Sequence, residues 1–202
     1  MTPALVLRTA AFDEITVDLR EAARYLGMFG AAPAADDALF ASARDELRRV
    51  AALRAVCCVL PVTVCGTNVD FDVFSLQSRS LSKNLAGCDK VILFAATLGA
   101  GADRSILRLQ KTDPAAAMVL DAYCSAAVEG WCDKLEADLT NGRPHSPRFS
   151  PGYGDVPLGV QRTVFQILDV PRKLGVTLSD TCFMTPAKSV TAFVGLEEVD
   201  RL

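Results

Sequence analysis

The chain is 202 residues long, 50% apolar, with a formal net charge of −3. That length suits one domain, or one domain with a small N-terminal appendage over residues 1–35. The acidic balance without a long basic run excludes a nucleic-acid partner, and no uncharged apolar run approaches the roughly 20 residues of a membrane span.

The opening MTPALVLRTAAFDEI offers too short an apolar run, with acids close behind, for a secretory signal. Short extended runs follow at Leu5-Val6-Leu7 and Ile15-Thr16-Val17. Asp18 caps a helix from Leu19 to about Met28, with Gly27 and Gly30 near its end. A Pro/Ala linker, Ala31–Ala35, leads to Asp36 and Asp37, which open a longer helix to about Ala55. Its apolar positions Leu39, Ala43, Leu47, Val50 and Leu53 keep helical spacing.

The run VCCVLPVTVC, residues 56–65, reads as a strand that Pro61 pushes to an edge or a bulge. With Val69–Phe74 across the turn Gly66-Thr67-Asn68, it forms a hairpin with one solvated face. Ser80–Leu85 is a short helix stopped by Gly87. KVILFAA, residues 90–96, is a buried strand. It runs into the glycine turn Thr97–Asp103 and a helix, Arg104–Gln110. Strand, glycine turn and helix invite a dinucleotide reading, but the third glycine of GxGxxG is replaced by Arg104 and no regular strand–helix alternation follows. The plain reading is a closely packed strand-to-helix turn.

Asp113-Pro114 starts the longest helix, Asp as cap and Pro in the first turn. It runs to about Leu139 and stops at Asn141-Gly142. Leu120, Cys124, Ala127, Trp131 and Leu135 form its buried stripe. Glu129, Asp133 and Glu136 line another face, an acidic row that is either solvated or functional. Leu158–Leu168 is a further helix. Met184-Thr185-Pro186 breaks the chain before a final strand, Ser189–Val194, expected to be central in its sheet. Irregular mixing of strands and helices, with hairpin signals, predicts an α+β fold with several helices around a mainly antiparallel sheet. There are seven cysteines and one histidine, His145. No CxxC pair occurs, so a zinc site of closely spaced ligands is not indicated. The cysteines read as small hydrophobes in a reducing, cytoplasmic setting, and Cys57 and Cys58 as pointing to opposite faces of a strand.

Between the two late helices lies Arg148-Phe149-Ser150-Pro151-Gly152-Tyr153-Gly154-Asp155. Proline and glycine make it a stiff, extended loop that presents a fixed cation, a phenol and a carboxylate. An arginine so placed clamps a carboxylate in two-pronged fashion, or is simply solvated.

Arg148, Pro151, Gly152 and Tyr153, followed at matching spacing by Gly175, Leu178, Met184, Pro186, Ser189 and Val190, resemble a known pattern. It is that of the activation domain of vitamin B12-dependent methionine synthase. Upstream, ATLGAGADRSILRLQKTDPAAAMVLDAYCSAAVEGWCDKLE and the N-terminal REAARYLGMFG resemble short, free-standing members of that family. The resemblance implies a twisted antiparallel sheet and a domain that binds S-adenosylmethionine. Such a domain reactivates oxidised cob(II)alamin by reductive methylation, with a flavodoxin-type electron donor. Cobalamin comes only through the partner, a cobalamin-binding methionine synthase module.

The same resemblance places Arg148 on the ligand's carboxylate, Tyr153 beside its sulfonium or adenine, and Pro151 and Gly152 in the binding loop. Asp133 is implied as the acidic partner of the ammonium, and the backbone at Phe193 and Val194 as a cavity wall. Val194 stands where the family carries an aromatic. The family's N-terminal aspartate has three candidates here, Asp13, Asp18 and Asp36. On this reading the chain is a reactivation subunit rather than a stand-alone catalyst. Two alternatives stay open. One is a ligand-binding or regulatory module of corrinoid or one-carbon metabolism that has lost S-adenosylmethionine. The other is an independent methyltransferase or nucleotide-dependent oxidoreductase, supported only by the glycine turn and lacking a nucleophile–base pair.

Overall fold

A computed structural model describes residues 3–30 and 37–197. In chain order the elements are β1 (Val6–Ala10), α1 (Leu19–Tyr25), α2 (Ala38–Val50), β2 (Leu53–Pro61), β3 (Thr63–Cys65), β4 (Asn68–Asp70) and β5 (Ser75–Gln77). They continue with α3 (Arg79–Asn84), β6 (Cys88–Thr97), α4 (Ala100–Thr112), α5 (Pro114–Thr140), α6 (Val160–Leu168), α7 (Val170–Leu174), β7 (Thr177–Leu178), β8 (Met184–Thr185) and β9 (Ser189–Glu197). Residues Ala31–Ala35 and Asp36, read above as linker and helix start, lie outside the described residues. No described helix is long and apolar enough to cross a membrane.

The fold is α+β. Its main sheet has the order β1-β2-β6-β9, and every neighbouring pair is antiparallel. Both faces of this sheet are covered. Strand side chains alternate sides, so Ile92, Phe94 and Ala96 of β6 enter one core, built with α2, α4 and α5. Val91, Leu93 and Ala95 enter a second core, with α3, α6 and α7. Cys57 and Cys58 divide between the two cores in the same way. Burial raises the Cys58 and Cys124 thiols to about 12, far from a reactive thiolate.

Three departures from the sequence reading bear on the main sheet, each for a physical reason. The first is α2, which ends at Val50 rather than near Ala55. Ala51 turns to extended backbone and Ala52 N–H donates to Leu98 O at 2.8 Å, drawing the chain into the sheet. Leu53 satisfies helical and strand periodicity equally, so spacing alone did not separate them. The second is β2, an interior strand with both faces buried. Pro61 is tolerated because β1 pairs only as far as Cys57, so the last residues of β2 have a partner on one side only. The expected hairpin exists, but it is β3–β4 in a separate three-stranded sheet.

The third departure positions the site. β9 is the last strand of the sheet, not a central one. Its outer edge is covered over part of its length by the segment that carries Arg148. Phe149 exchanges backbone hydrogen bonds with Phe193 at 2.9 and 2.7 Å, Ser146 N–H donates to Gly195 O at 2.8 Å, and Glu197 N–H donates to Pro144 O at 3.0 Å. A strand buried on both faces and partly covered at its edge reads as central by composition, because Ala192, Phe193, Val194 and Leu196 are all buried.

Candidate functional site

The covering segment leaves β9 after Phe149, and a cavity opens where the edge becomes bare. The cavity has a volume of about 720 Å³. Its walls are Glu129 of α5, Arg148, the loop residues Ser150–Tyr153, Gln161 of α6, the turn around Cys182–Met184, and Ser189–Thr191 of β9. Phe193 uses its N–H and C=O on the outer edge. By the alternation of an antiparallel strand, Thr191 presents its own N–H and C=O on that same edge, now uncovered.

Arg148 sits beside Phe149 in an extended stretch, so the two side chains point to opposite sides. Phe149 packs against the second core, and Arg148 turns to α5. There the acidic row meets it. Nη2 lies 2.8 Å from Glu129 Oε2 and 2.9 Å from Asp133 Oδ1, and Nη1 lies 3.2 Å from Glu136 Oε2. The spacing of 129, 133 and 136 puts all three carboxylates on one helix face. The row read as solvated or functional is thus half-buried at Glu129 and Glu136 by the arginine, while Asp133 stays 71% exposed. Glu136 also faces His145 Nε2 at 3.1 Å.

Three carboxylates around one guanidinium leave an excess of negative charge. Burial opposes the charge of Arg148, but the negative groups around it, Asp133 and Glu129 among them, outweigh it and hold the guanidinium above its usual value. Glu129 goes the other way for an acid. Burial pushes its carboxyl up, and the nearby Glu21 and Asp133 add to this, so the pull of Arg148 does not bring it back. Burial acts on both partners; the difference is that Arg148 has three acids and Glu129 one cation.

The loop itself is a run of tight turns rather than an extended strip. Tyr153 N–H donates to Ser150 O at 3.1 Å, Val156 N–H to Tyr153 O at 3.0 Å, and Gly152 N–H to Val156 O at 3.0 Å. Its far end is fixed by Asp155. That carboxylate accepts from Ser78 Oγ, from Arg79 N–H at 2.7 Å and from Ser80 N–H at 3.1 Å, at the start of α3. Ser78 and these two amides hold the Asp155 carboxyl well below the usual carboxylate range. Gly154 makes the approach to α3 possible. It has φ +55°, and a Cβ there would stand 2.7 Å from Ser80 Cβ. Tyr153 is left 64% exposed at the cavity wall, edge-on to Phe149 with ring centroids 6.5 Å apart.

Of the residues singled out from the sequence, Arg148, Pro151, Gly152 and Tyr153 line the cavity together. Asp133 touches Arg148 but is not part of the wall; Glu129, one turn earlier, is. Phe193 and Val194 do not reach the wall either. The Phe193 ring stacks on Phe71 at 5.5 Å in the second core, and Val194 is buried in the first. The strand wall lies earlier, at Ser189–Thr191, because Phe149 occupies the edge at Phe193. Asp13 pairs with Arg48 at 2.5 Å, and Asp18 caps α1 by accepting from Arg20 N–H at 2.8 Å. Neither lines this cavity, and Asp36 lies outside the described residues.

The glycine turn is structural. Gly101 lets α4 meet α2, since a Cβ would stand 2.1 Å from Val50 O. Asp103, next along, accepts from Ala187 N–H at 2.7 Å and so steadies the entry to β9. Sequence reasoning passed over Glu21 and Tyr25 of α1. The Tyr25 hydroxyl donates to Glu21 at 3.2 Å, and burial, then Glu21, Glu129 and Tyr153, raises it to about 12. Tyr25 is not in the wall of this cavity; it lines a second one, with Met118, Asp121 and Ser125. The only signal was the segment REAARYLGMFG, whose role no local motif announced.

Comparison with known proteins bears on the fold and on the C-terminal third of the chain. Residues 133–199 match the family model described as vitamin B12 dependent methionine synthase, activation domain. That span begins in the acidic row of α5 and takes in the loop and all of β9. A crystal structure of the MetH reactivation domain bound to AdoHcy is similar over 99% of this chain and 80% of that chain, with a TM-score of 0.73 and 16% identity. At that identity the likeness is one of fold. No curated protein matches the chain.

Proposed function

We propose that this chain, which resembles the activation domain of vitamin B12-dependent methionine synthase, binds S-adenosylmethionine in the cavity beside Arg148. It presents the ligand to a cobalamin-carrying methionine synthase module. The observation that carries this reading is the convergence of Arg148 and Ser150–Tyr153, inside the span that matches the family, on one cavity whose wall Glu129 completes from just before that span. A volume of about 720 Å³ is in the range that takes a ligand of this size.

The chemistry of the wall suits the ligand part by part. S-adenosylmethionine carries a carboxylate, an ammonium, a sulfonium and an adenosine. Arg148 holds the carboxylate, which displaces Asp133, the most exposed of its three acids. Glu129 takes the ammonium, using the excess negative charge that Arg148 alone does not balance. The Tyr153 face lies toward the sulfonium, and the open edge of β9 at Thr191 offers main-chain hydrogen bonds. The family-matched span supports a cobalamin module as partner; a flavodoxin-type protein as the electron source rests on the sequence resemblance alone. The partner's cobalamin supplies the methyl acceptor. This chain binds and orients the methyl donor, and is not a catalyst by itself.

The test is reactivation in trans. A cobalamin-carrying methionine synthase that lacks its activation domain is inactivated by oxidation, then given this protein, S-adenosylmethionine and reduced flavodoxin. Recovery of turnover that needs all three is the expected result; no recovery with folded protein counts against the reading. A second reading has one observation in its favour: Arg148 is already engaged by three carboxylates, as a structural arginine would be. A corrinoid-associated regulatory module that has lost S-adenosylmethionine would bind the partner without the ligand and restore no turnover with it, so partner binding measured without ligand, beside the reactivation assay, separates the two.

A further inference from the structure

One buried polar group in the cavity wall has no hydrogen-bond partner among the described residues. Gln161 of α6 is 4% exposed, lines the cavity, and its side-chain Oε1 is buried without a hydrogen bond among the described residues. A buried carboxamide normally finds partners, because losing its hydrogen bonds to water is not otherwise compensated. Its neighbours along the helix do not need it: Gln161 N–H already donates to Leu158 O at 3.0 Å, and Val164, Phe165 and Leu168 supply the packing of that face. An apolar residue at 161 would serve the core better. The wall beyond it is largely neutral, with Pro151, Leu158, Phe183 and Met184.

We infer that Gln161 reads the adenine of the bound ligand, its carboxamide pairing with the 6-amino group and an adjacent ring nitrogen. This rests on the S-adenosylmethionine reading above and assigns that site its base-recognising residue. Glutamine suits adenine because the two faces of its amide, one acceptor and one donor, match the donor and acceptor side by side on the purine edge. The charged groups at Arg148 and Glu129 hold the amino-acid end of the ligand. That leaves the amide to recognise its heteroaromatic end, and the flat apolar surfaces around it to pack on the ring.

The test pairs a protein change with a ligand change and reads the coupling between them. Binding of S-adenosylhomocysteine and of its analogue without the 6-amino group is measured by calorimetry, for wild type, Gln161→Met and Gln161→Glu. Methionine keeps the length and shape of the side chain. Wild type is expected to prefer the amino-bearing ligand by about tenfold or more. Gln161→Met should bind both ligands equally, while its own melting temperature, without ligand, does not fall. Gln161→Glu keeps an acceptor and should keep the preference, so the assignment stays testable if the methionine variant folds poorly. Equal preference in wild type and Gln161→Met overturns the assignment and leaves the S-adenosylmethionine reading standing. Failure of wild type to bind S-adenosylhomocysteine or S-adenosylmethionine at all overturns both.

Discussion

Two cations fasten the C-terminal third of the chain to α5, and they differ in a telling way. Lys188, just before β9, is 12% exposed and meets one carboxylate, Asp121 at 2.9 Å, together with Ser125 Oγ at 2.8 Å. Charge is balanced there, and Lys188 is not part of the cavity wall. Arg148, at the other end of the same helix, is 19% exposed and meets three carboxylates. Both hold a segment of chain in place. Only at Arg148 is negative charge left over, and only there does the cation itself line a cavity; Asp121 and Ser125 border a smaller one, whose wall Lys188 does not join. A balanced buried pair fixes structure; an unbalanced one beside a cavity leaves a place for a further cation.

The largest effect is expected at Arg148 itself. Arg148→Ala removes the clamp and leaves three carboxylates facing one another, so affinity for S-adenosylmethionine should fall by about 100-fold or more, roughly 2.7 kcal/mol. Arg148→Lys should recover little of this, since an ammonium does not bridge a carboxylate in two-pronged fashion. Titration calorimetry reads both. If Arg148→Lys binds as wild type does, the arginine is only a point charge and the contrast with Lys188 dissolves.

The loop geometry comes next. Gly154→Ala puts a Cβ against Ser80 at a positive φ, and should lower stability by about 1–3 kcal/mol and weaken ligand binding with it. Thermal unfolding and calorimetry together check this; a variant with unchanged melting temperature would show that the contact to α3 is not needed.

Within the acidic row the effects should be unequal. Glu129→Gln is expected to reduce affinity about tenfold, and Asp133→Asn by no more than about threefold, because only Glu129 lines the cavity. Equal losses would return Asp133 to the role that the sequence suggested. Glu129 also gives the site a pH signature. Its carboxyl is raised by burial above the ordinary value of 4.5, so the folded chain holds that proton more tightly than the unfolded one. The stability it contributes is present below pH 4.5 and is lost as pH rises through the raised value. A ligand ammonium beside Glu129 brings the value down again. Binding should therefore release protons in the window just above pH 4.5, seen as a buffer-dependent heat, and Glu129→Gln should abolish that release.

The smallest effect belongs to Lys188. Lys188→Met should lower stability by about 1 kcal/mol and change affinity by no more than about threefold. A loss as large as that of Arg148→Ala would place both cations in one binding site.

Much of this architecture could be read from the chain. Asp18, Asp113 and Asn141 marked helix ends that the structure keeps, and the buried stripe of α5 follows helical spacing. The loop from Arg148 to Tyr153 was legible because glycine, proline and a fixed cation carry local signals. What stayed hidden depends on distant partners. That β9 ends the sheet is decided by which strands follow, not by Phe193 or Val194. That Glu129 rather than Asp133 faces the cavity is decided by the rotation of α5 against the loop. Gln161 looked like one more polar residue on an amphipathic helix, and only its burial without a partner sets it apart.

The most direct test of the central claim is calorimetric titration of the wild-type protein and Arg148→Ala with S-adenosylmethionine. Saturable one-to-one binding by the wild type, lost in the variant, is the result this account predicts. No binding by folded wild type, or equal binding by both, would contradict it.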